Sequence, residues 1–249
     1  MNKKLKIGTS LFALGLLGIL TLLTVSFSLD SLPKQVIQRF SAQEIKFLIL
    51  INPTIFLLIA TIVGTIFYDK VGLSVPTISS ILKLDEPKIS FLEQIKYGVS
   101  LGLISGILLT IIGMIFKSSI PQEFLQIADK FKPTILARFG YGGITEELLM
   151  RYGFMTLVIW VIFKITRKLN DPTYWIGIVL AALLFAVGHF PVVFSSVKNP
   201  TISLLTYVLT GNTIGGVFFG WLYWKKGLEA AFIGHIFAHV VMLMGEQVI

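Results

Sequence analysis

Glu146 and Glu147, followed four residues later by Arg151, lie inside a stretch that otherwise reads as a membrane helix. Around them runs Gly-Gly-Ile-Thr-Glu-Glu-Leu-Leu-Met-Arg-Tyr-Gly-Phe-Met, Gly142 to Met155, with apolar residues continuing to Phe163. Each ionisable group at the centre of a membrane helix costs ~2.5–3.5 kcal/mol. Such groups persist where they do chemistry, carry ions or hold helices together. Helix geometry divides them. Adjacent residues lie about 100° apart, so the two glutamates address different directions. Glu147 and Arg151 share one face in the favourable order for an ion pair, which neutralises both charges. That pair reads as scaffold, and Glu146, left without a local partner, reads as the reactive carboxylate.

The chain holds three histidines, and all fall in later apolar runs. His189 ends Phe-Ala-Val-Gly-His, one turn after Phe185. His235 and His239 are four apart in Gly-His-Ile-Phe-Ala-His and project from one face of the last helix. A single intramembrane histidine is ordinarily a satisfied hydrogen-bonding group. Three of them with a spare glutamate point to one polar site.

The elements that must position these groups are membrane helices. The chain of 249 residues is 55% hydrophobic and 14% charged, against about 25% charged in soluble domains. The expected fold class is therefore all-α, a polytopic transmembrane bundle. Apolar runs near the ~20 residues needed to cross a bilayer fall at 7–29, 46–68, 96–116, 141–163, 174–194, 202–224 and 228–245, giving about seven helices. The first run is too long for a signal-peptide core and lacks a clean cleavage site, so it reads as an uncleaved helix. There is no cysteine, which excludes thiolate chemistry and disulfides. The net charge of +8 lies mostly beside apolar runs, where it suits lipid headgroups and topology better than a nucleic-acid partner, so none is expected. Counting Lys and Arg between the runs gives twelve against eight in favour of a cytoplasmic N-terminus, helped by the clusters Lys164–Lys168 and Lys225–Lys226. With that orientation Glu146, His189 and His239 all sit between the middle and the outer half of the bilayer, so one site is geometrically feasible.

Gly98, Gly102 and Gly106 recur every four residues, as do Gly211 and Gly215, and Gly216 and Gly220. This spacing predicts close helix packing. Asn52-Pro53 predicts a kink in the second helix. Residues 117–140 read as an interfacial, amphipathic connection. No internal repeat and no inverted pair of broken helices is present.

Glu-Glu-x-x-x-Arg at 146–151, Phe-x-x-x-His at 185–189 and the late motif at 235–239 together resemble the CPBP family. These are the CAAX-protease and bacteriocin-processing intramembrane proteases, which include the type II CAAX prenyl endopeptidases. The likeness covers roughly residues 130–245, and Gly-Leu-Glu-Ala-Ala at 227–231 is also similar to members. It implies a division into N-terminal helices with the connection, 1–130, and a protease core, 131–249, in a multi-pass protein of a prokaryotic cell membrane. The family's last motif usually ends in asparagine or sometimes aspartate, where this chain has His239.

The resemblance implies hydrolysis of a peptide bond in a membrane-associated or lipid-modified substrate. Glu146 would act as general base on water, aided by His189. His235 and His239 would stabilise the oxyanion. A zinc ion held by His189, His235 and His239, with Glu146 as base, is the other arrangement these residues permit. Two readings of other classes stand beside it. One is a divalent-cation or proton transporter, for which polar groups should spread over several helices; here they gather in three segments, with Asn212 the one extra candidate. The other is a catalytically silent scaffold or immunity protein. Nothing in the sequence marks a prenyl pocket or an oligomeric state.

Overall fold

A computed structural model describes residues 2–27 and 34–246. Among these, seven helices are long and apolar enough to cross a membrane: Lys3–Thr24, Ala42–Val71, Phe91–Lys117, Ile135–Thr166, Asp171–Ser196, Ile202–Lys226 and Leu228–Gly245. Each expected run has its counterpart, usually a few residues longer. The exception is the first, whose last two expected residues, 28 and 29, lie outside the described residues. The all-α polytopic bundle follows.

Helix α1 is Lys3–Leu20 and ends in a 3-10 turn, Thr21–Thr24. A short helix α2, Lys34–Arg39, precedes the second span. That span is built of α3, Ala42–Leu48, and α4, Ile51–Phe67. The break expected from Asn52-Pro53 falls just ahead of it, at residues 49–50. Pro53 sits in the first turn of α4, where its missing N–H removes no helical bond. Then come α5, Pro76–Ile81, and α6, Phe91–Lys117, the latter capped by Ser90 accepting from the Glu93 amide at 3.1 Å. Within the expected connection, α7 is Pro121–Lys130. The buried Glu123 ties it to the cap of a later helix, accepting from Thr201 N (2.7 Å) and Oγ1 (2.9 Å). Residues Ser26–Phe27 (β1) and Phe131–Lys132 (β2) form a two-residue antiparallel pairing.

The fourth span departs most from a plain helix. After a single turn, α8 at Ile135–Ala137, the backbone is π-helical over Arg138–Glu146 and Leu148–Met155, then α-helical in α9, Thr156–Thr166. π-Helical turns concentrate at functional sites, and this one carries both glutamates and Arg151. The fifth span is also interrupted. It consists of α10, Asp171–Val187, and α11, Phe190–Ser196, with Gly188 and His189 between them and Pro191 in the first turn of α11. Helices α12, Ile202–Lys226, and α13, Leu228–Gly245, meet at Gly227, whose φ of +89° favours glycine.

Small residues bring these helices together, as their spacing predicts. A Cβ on Gly98, Gly102 or Gly106 of α6 would run into Ile233, Gly234 and Phe237, or Ala238 and Val241 of α13. Gly216 and Gly220 of α12 lie against Ala182 and Ile178 of α10, and Gly211 and Gly215 face Leu109 of α6. At the other side α1 presses on the π-helical segment. Gly18 meets Thr145 and the Gly140 carbonyl, and Thr145 Oγ1 donates to the Gly15 carbonyl at 2.9 Å. The element bearing Glu146 is thereby held between the first and last spans.

Candidate active site

Glu147 and Arg151 are fully buried and form the expected i,i+4 pair, Oε2 to Nε at 3.1 Å. The sequence does not show the second partner of Glu147. Its Oε1 accepts from His235 Nδ1 of α13 at 2.8 Å. One carboxylate thus bridges an arginine on its own element and an imidazole on the last helix. Arg151 extends further, donating from Nη2 to the Gly216 carbonyl at 3.2 Å. Its guanidinium also lies 5.0 Å from the Phe185 ring centroid and 5.6 Å from that of Phe219. Aromatic faces attract such a cation when it is desolvated. Phe219, which sequence reasoning passed over as one phenylalanine among twenty, also stacks on His235 with centroids 4.5 Å apart.

Glu147 is locked inward. Glu146 is only partly buried, and among the described residues no hydrogen bond or ion pair engages its carboxylate.

The histidines assemble around the same point. His235 and His239 stack with centroids 4.9 Å apart and planes 18° from parallel. Gly142, one turn before Glu146, faces His239 so closely that a Cβ there would stand 2.8 Å from Nε2. His189 packs edge-on to Phe185 at 4.7 Å, and Phe185 in turn edge-on to His235 at 6.0 Å. The tautomers follow from the partners. A carbonyl oxygen only accepts, so His189 donates from Nδ1 to the Phe185 carbonyl (2.8 Å) and keeps a lone pair on Nε2. His235 likewise donates from Nδ1 to Glu147, so the neutral ring accepts at Nε2. Among the described residues His239 Nδ1 is buried without a hydrogen-bond partner, as are Arg151 Nη1 and Thr213 Oγ1.

The three-histidine zinc arrangement does not form. Among the described residues no three His, Cys, Asp or Glu groups converge as metal ligands. Stacked, nearly parallel rings aim their in-plane nitrogens side by side and away from a tetrahedral centre. With Nδ1 of His189 and of His235 donating, Nε2 is the nitrogen each ring has left for a ligand. Asn212, the remaining candidate, donates back to the Val208 carbonyl within its own helix at 2.8 Å.

Comparison with known proteins bears on one part of the chain. Residues 129–241 match the family model described as type II CAAX prenyl endopeptidase Rce1-like. That segment begins just before the π-helical element and ends just past His239. Neither the curated proteins nor the solved structures give a match.

Proposed function

We propose that this chain, which belongs to the CPBP family of CAAX proteases through residues 129–241, is an intramembrane endopeptidase in which Glu146 activates the attacking water. The observation that carries this reading is the contrast within the adjacent pair. Glu147 is held by Arg151 and His235, while the partly buried Glu146 beside them has no hydrogen bond or ion pair among the described residues.

Glu146 takes a proton from water as the water oxygen bonds to the carbonyl carbon of the scissile peptide. His189, with its free Nε2 lone pair, helps to orient that water. The carbonyl oxygen becomes an oxyanion, and His239 is the imidazole with hydrogen-bonding capacity left to meet it. As the C–N bond breaks, the proton returns to the leaving amine from Glu146. His235, fixed by Glu147, can relay it through Nε2 after taking it up. The products are a new carboxylic acid, which gives its remaining proton to water, and a free amine, and the enzyme is restored. The stacked Phe219–His235–His239 column and the Arg151 contacts exclude water from one side of the site, which strengthens every polar interaction within it.

The substrate class is a membrane-embedded or lipid-anchored protein or peptide, because the reacting carboxylate belongs to a membrane span. The experiment compares the membrane proteomes of wild-type cells and cells carrying Glu146→Ala. The reading expects uncleaved precursors to accumulate in the variant; identical termini in both would contradict it. We also place the N-terminus in the cytoplasm of a prokaryotic cell, on the distribution of Lys and Arg. As the chain has no native cysteine, single cysteines at Lys3 and Lys198 report this directly. Impermeant maleimide added to intact cells should label only the second; labelling of the first would reverse the orientation.

A further inference from the structure

The bundle end that carries the N-terminus also carries all four tryptophans, Trp160, Trp175, Trp221 and Trp224. Tryptophans gather at the level of lipid headgroups, so this end marks one membrane surface. Its lysines differ in how they are held. Lys3, Lys4 and Lys226 are neutralised, by Asp85, by Asp69 at 2.7 Å and by Glu93 at 2.6 Å. Lys70 and Lys164 are exposed, and among the described residues no ion pair engages either. Asp69, next to Lys70 in sequence, is already taken by Lys4.

Aromatic rings place these two lysines instead. Phe67, at the end of α4, stacks on Trp160 of α9 with centroids 4.1 Å apart. Lys70, on the turn that follows α4, sets Nζ 5.0 Å from the Phe67 centroid. Lys164, one turn beyond Trp160, sets Nζ 5.6 Å from the Trp160 centroid. The turn itself, Tyr68–Val71, packs on α9. Two cations from different spans are thus anchored on one shared aromatic pair. Deeper in the membrane the same helices expose Ile59, Ile62 and Ile66 of α4 and Val161 of α9. An amphipathic ligand with a negative head and apolar tails matches this order, positive at the surface and apolar below it.

We propose that the corner between α4 and α9 binds an anionic phospholipid, its phosphate taken by Lys70 and Lys164 and its chains lying on the two helices. Each basic residue near the surface adds attraction for a net negative headgroup. A zwitterionic lipid brings its own cation to the same two lysines and fits less well. The lipid has a structural consequence. Helix α9 continues the π-helical element, and α4 packs on that element, Gly64 against Tyr152 and Ala60 against Gly153. A lipid bridging the ends of α4 and α9 therefore stabilises the span that holds Glu147 and Arg151, whatever reaction that span performs.

The test uses the full chain in a nonionic detergent, given phosphatidylglycerol, phosphatidylcholine of the same chains, or inorganic phosphate. Native mass spectrometry reads the retained lipid, and a thermal melt reads stability. Wild type should retain phosphatidylglycerol about tenfold better than phosphatidylcholine. Phosphatidylglycerol should also raise the unfolding temperature, and phosphate alone should not. In Lys70→Gln/Lys164→Gln the preference should fall to near one, while Lys70→Arg/Lys164→Arg keeps it. Lys46→Gln/Lys198→Gln removes the same charge at the opposite end of the bundle and should leave the preference intact. Equal retention of both lipids by wild type would overturn the proposal. So would an unchanged preference in the Lys70/Lys164 glutamine pair, or an equal loss in the Lys46/Lys198 pair. Loss of the preference in the arginine pair would also overturn it, a readout that stands even where the glutamine pair fails to fold. A stabilisation by inorganic phosphate equal to that by phosphatidylglycerol would mark a free-anion site and overturn the lipid assignment.

Discussion

Two buried clusters, each built on a glutamate close to the last helix, are completed to different degrees. Glu229, at the start of α13, is saturated. Its Oε1 accepts from the Ile78 amide at 2.8 Å and its Oε2 from Gln94 Nε2 at 3.0 Å. Gln94 in turn donates to the Lys226 carbonyl at 3.0 Å and accepts from Thr77 Oγ1. This network staples α5 and α6 to the α12–α13 turn, and none of its side-chain atoms is buried without a partner. The Glu147 cluster is as deeply buried, yet among the described residues it leaves Arg151 Nη1 and His239 Nδ1 unpaired beside the partly buried Glu146. Buried polar atoms without partners cost free energy. Where a network is complete it fixes a packing arrangement. Where it is incomplete beside a free carboxylate, the missing partners are those a water and a substrate would supply.

The most severe way to break this contrast is Arg151→Ala, which strands the Glu147 carboxylate in the interior. Removing one member of a buried pair costs about 3–5 kcal/mol. We expect a large drop in thermal unfolding temperature in detergent together with loss of turnover. An Arg151→Ala protein of wild-type stability would show that the pair is not the scaffold. Next comes Gly142→Ala. The added methyl would stand 2.8 Å from His239 Nε2 and push the ring from its place. A displacement of that order costs about a hundredfold in rate. Unchanged kcat would remove His239 from the site.

Glu229→Gln sharpens the contrast from the other side. Replacing one carboxylate oxygen by an NH₂ sets a donor against a donor, at about 1–3 kcal/mol for a buried group left unsatisfied. Unfolding should come at lower temperature while turnover per folded molecule stays at the wild-type level. If turnover falls while stability holds, the two networks are not separate in function. The smallest effect is expected for Asn212→Ala. Its amide only bonds back within its own helix, so stability and rate should move by less than threefold, and a larger loss would give it a place in the site.

Much of this was legible in the sequence wherever the signal is local. Hydropathy marks the spans because each must be apolar over its own length. The i,i+4 spacing marks Glu147–Arg151 because both partners ride one helix. Small residues every four positions mark the close crossings of α6 with α13 and α12 with α10. What stayed hidden is tertiary. The bond from His235 to Glu147 joins residues 88 apart in sequence, and it changes the histidine's donor and acceptor roles. The stacking of the two imidazoles depends on how α13 is rotated against α12, through Phe219.

The central claim is that of two adjacent carboxylates one is chemical and the other structural. Purified Glu146→Gln, reconstituted beside wild type and given a substrate recovered from the proteome comparison, tests it directly. The predicted result is a fall in kcat of about 10²–10⁴ with an unchanged unfolding temperature. A Glu146→Gln enzyme within a few-fold of wild-type turnover would contradict it.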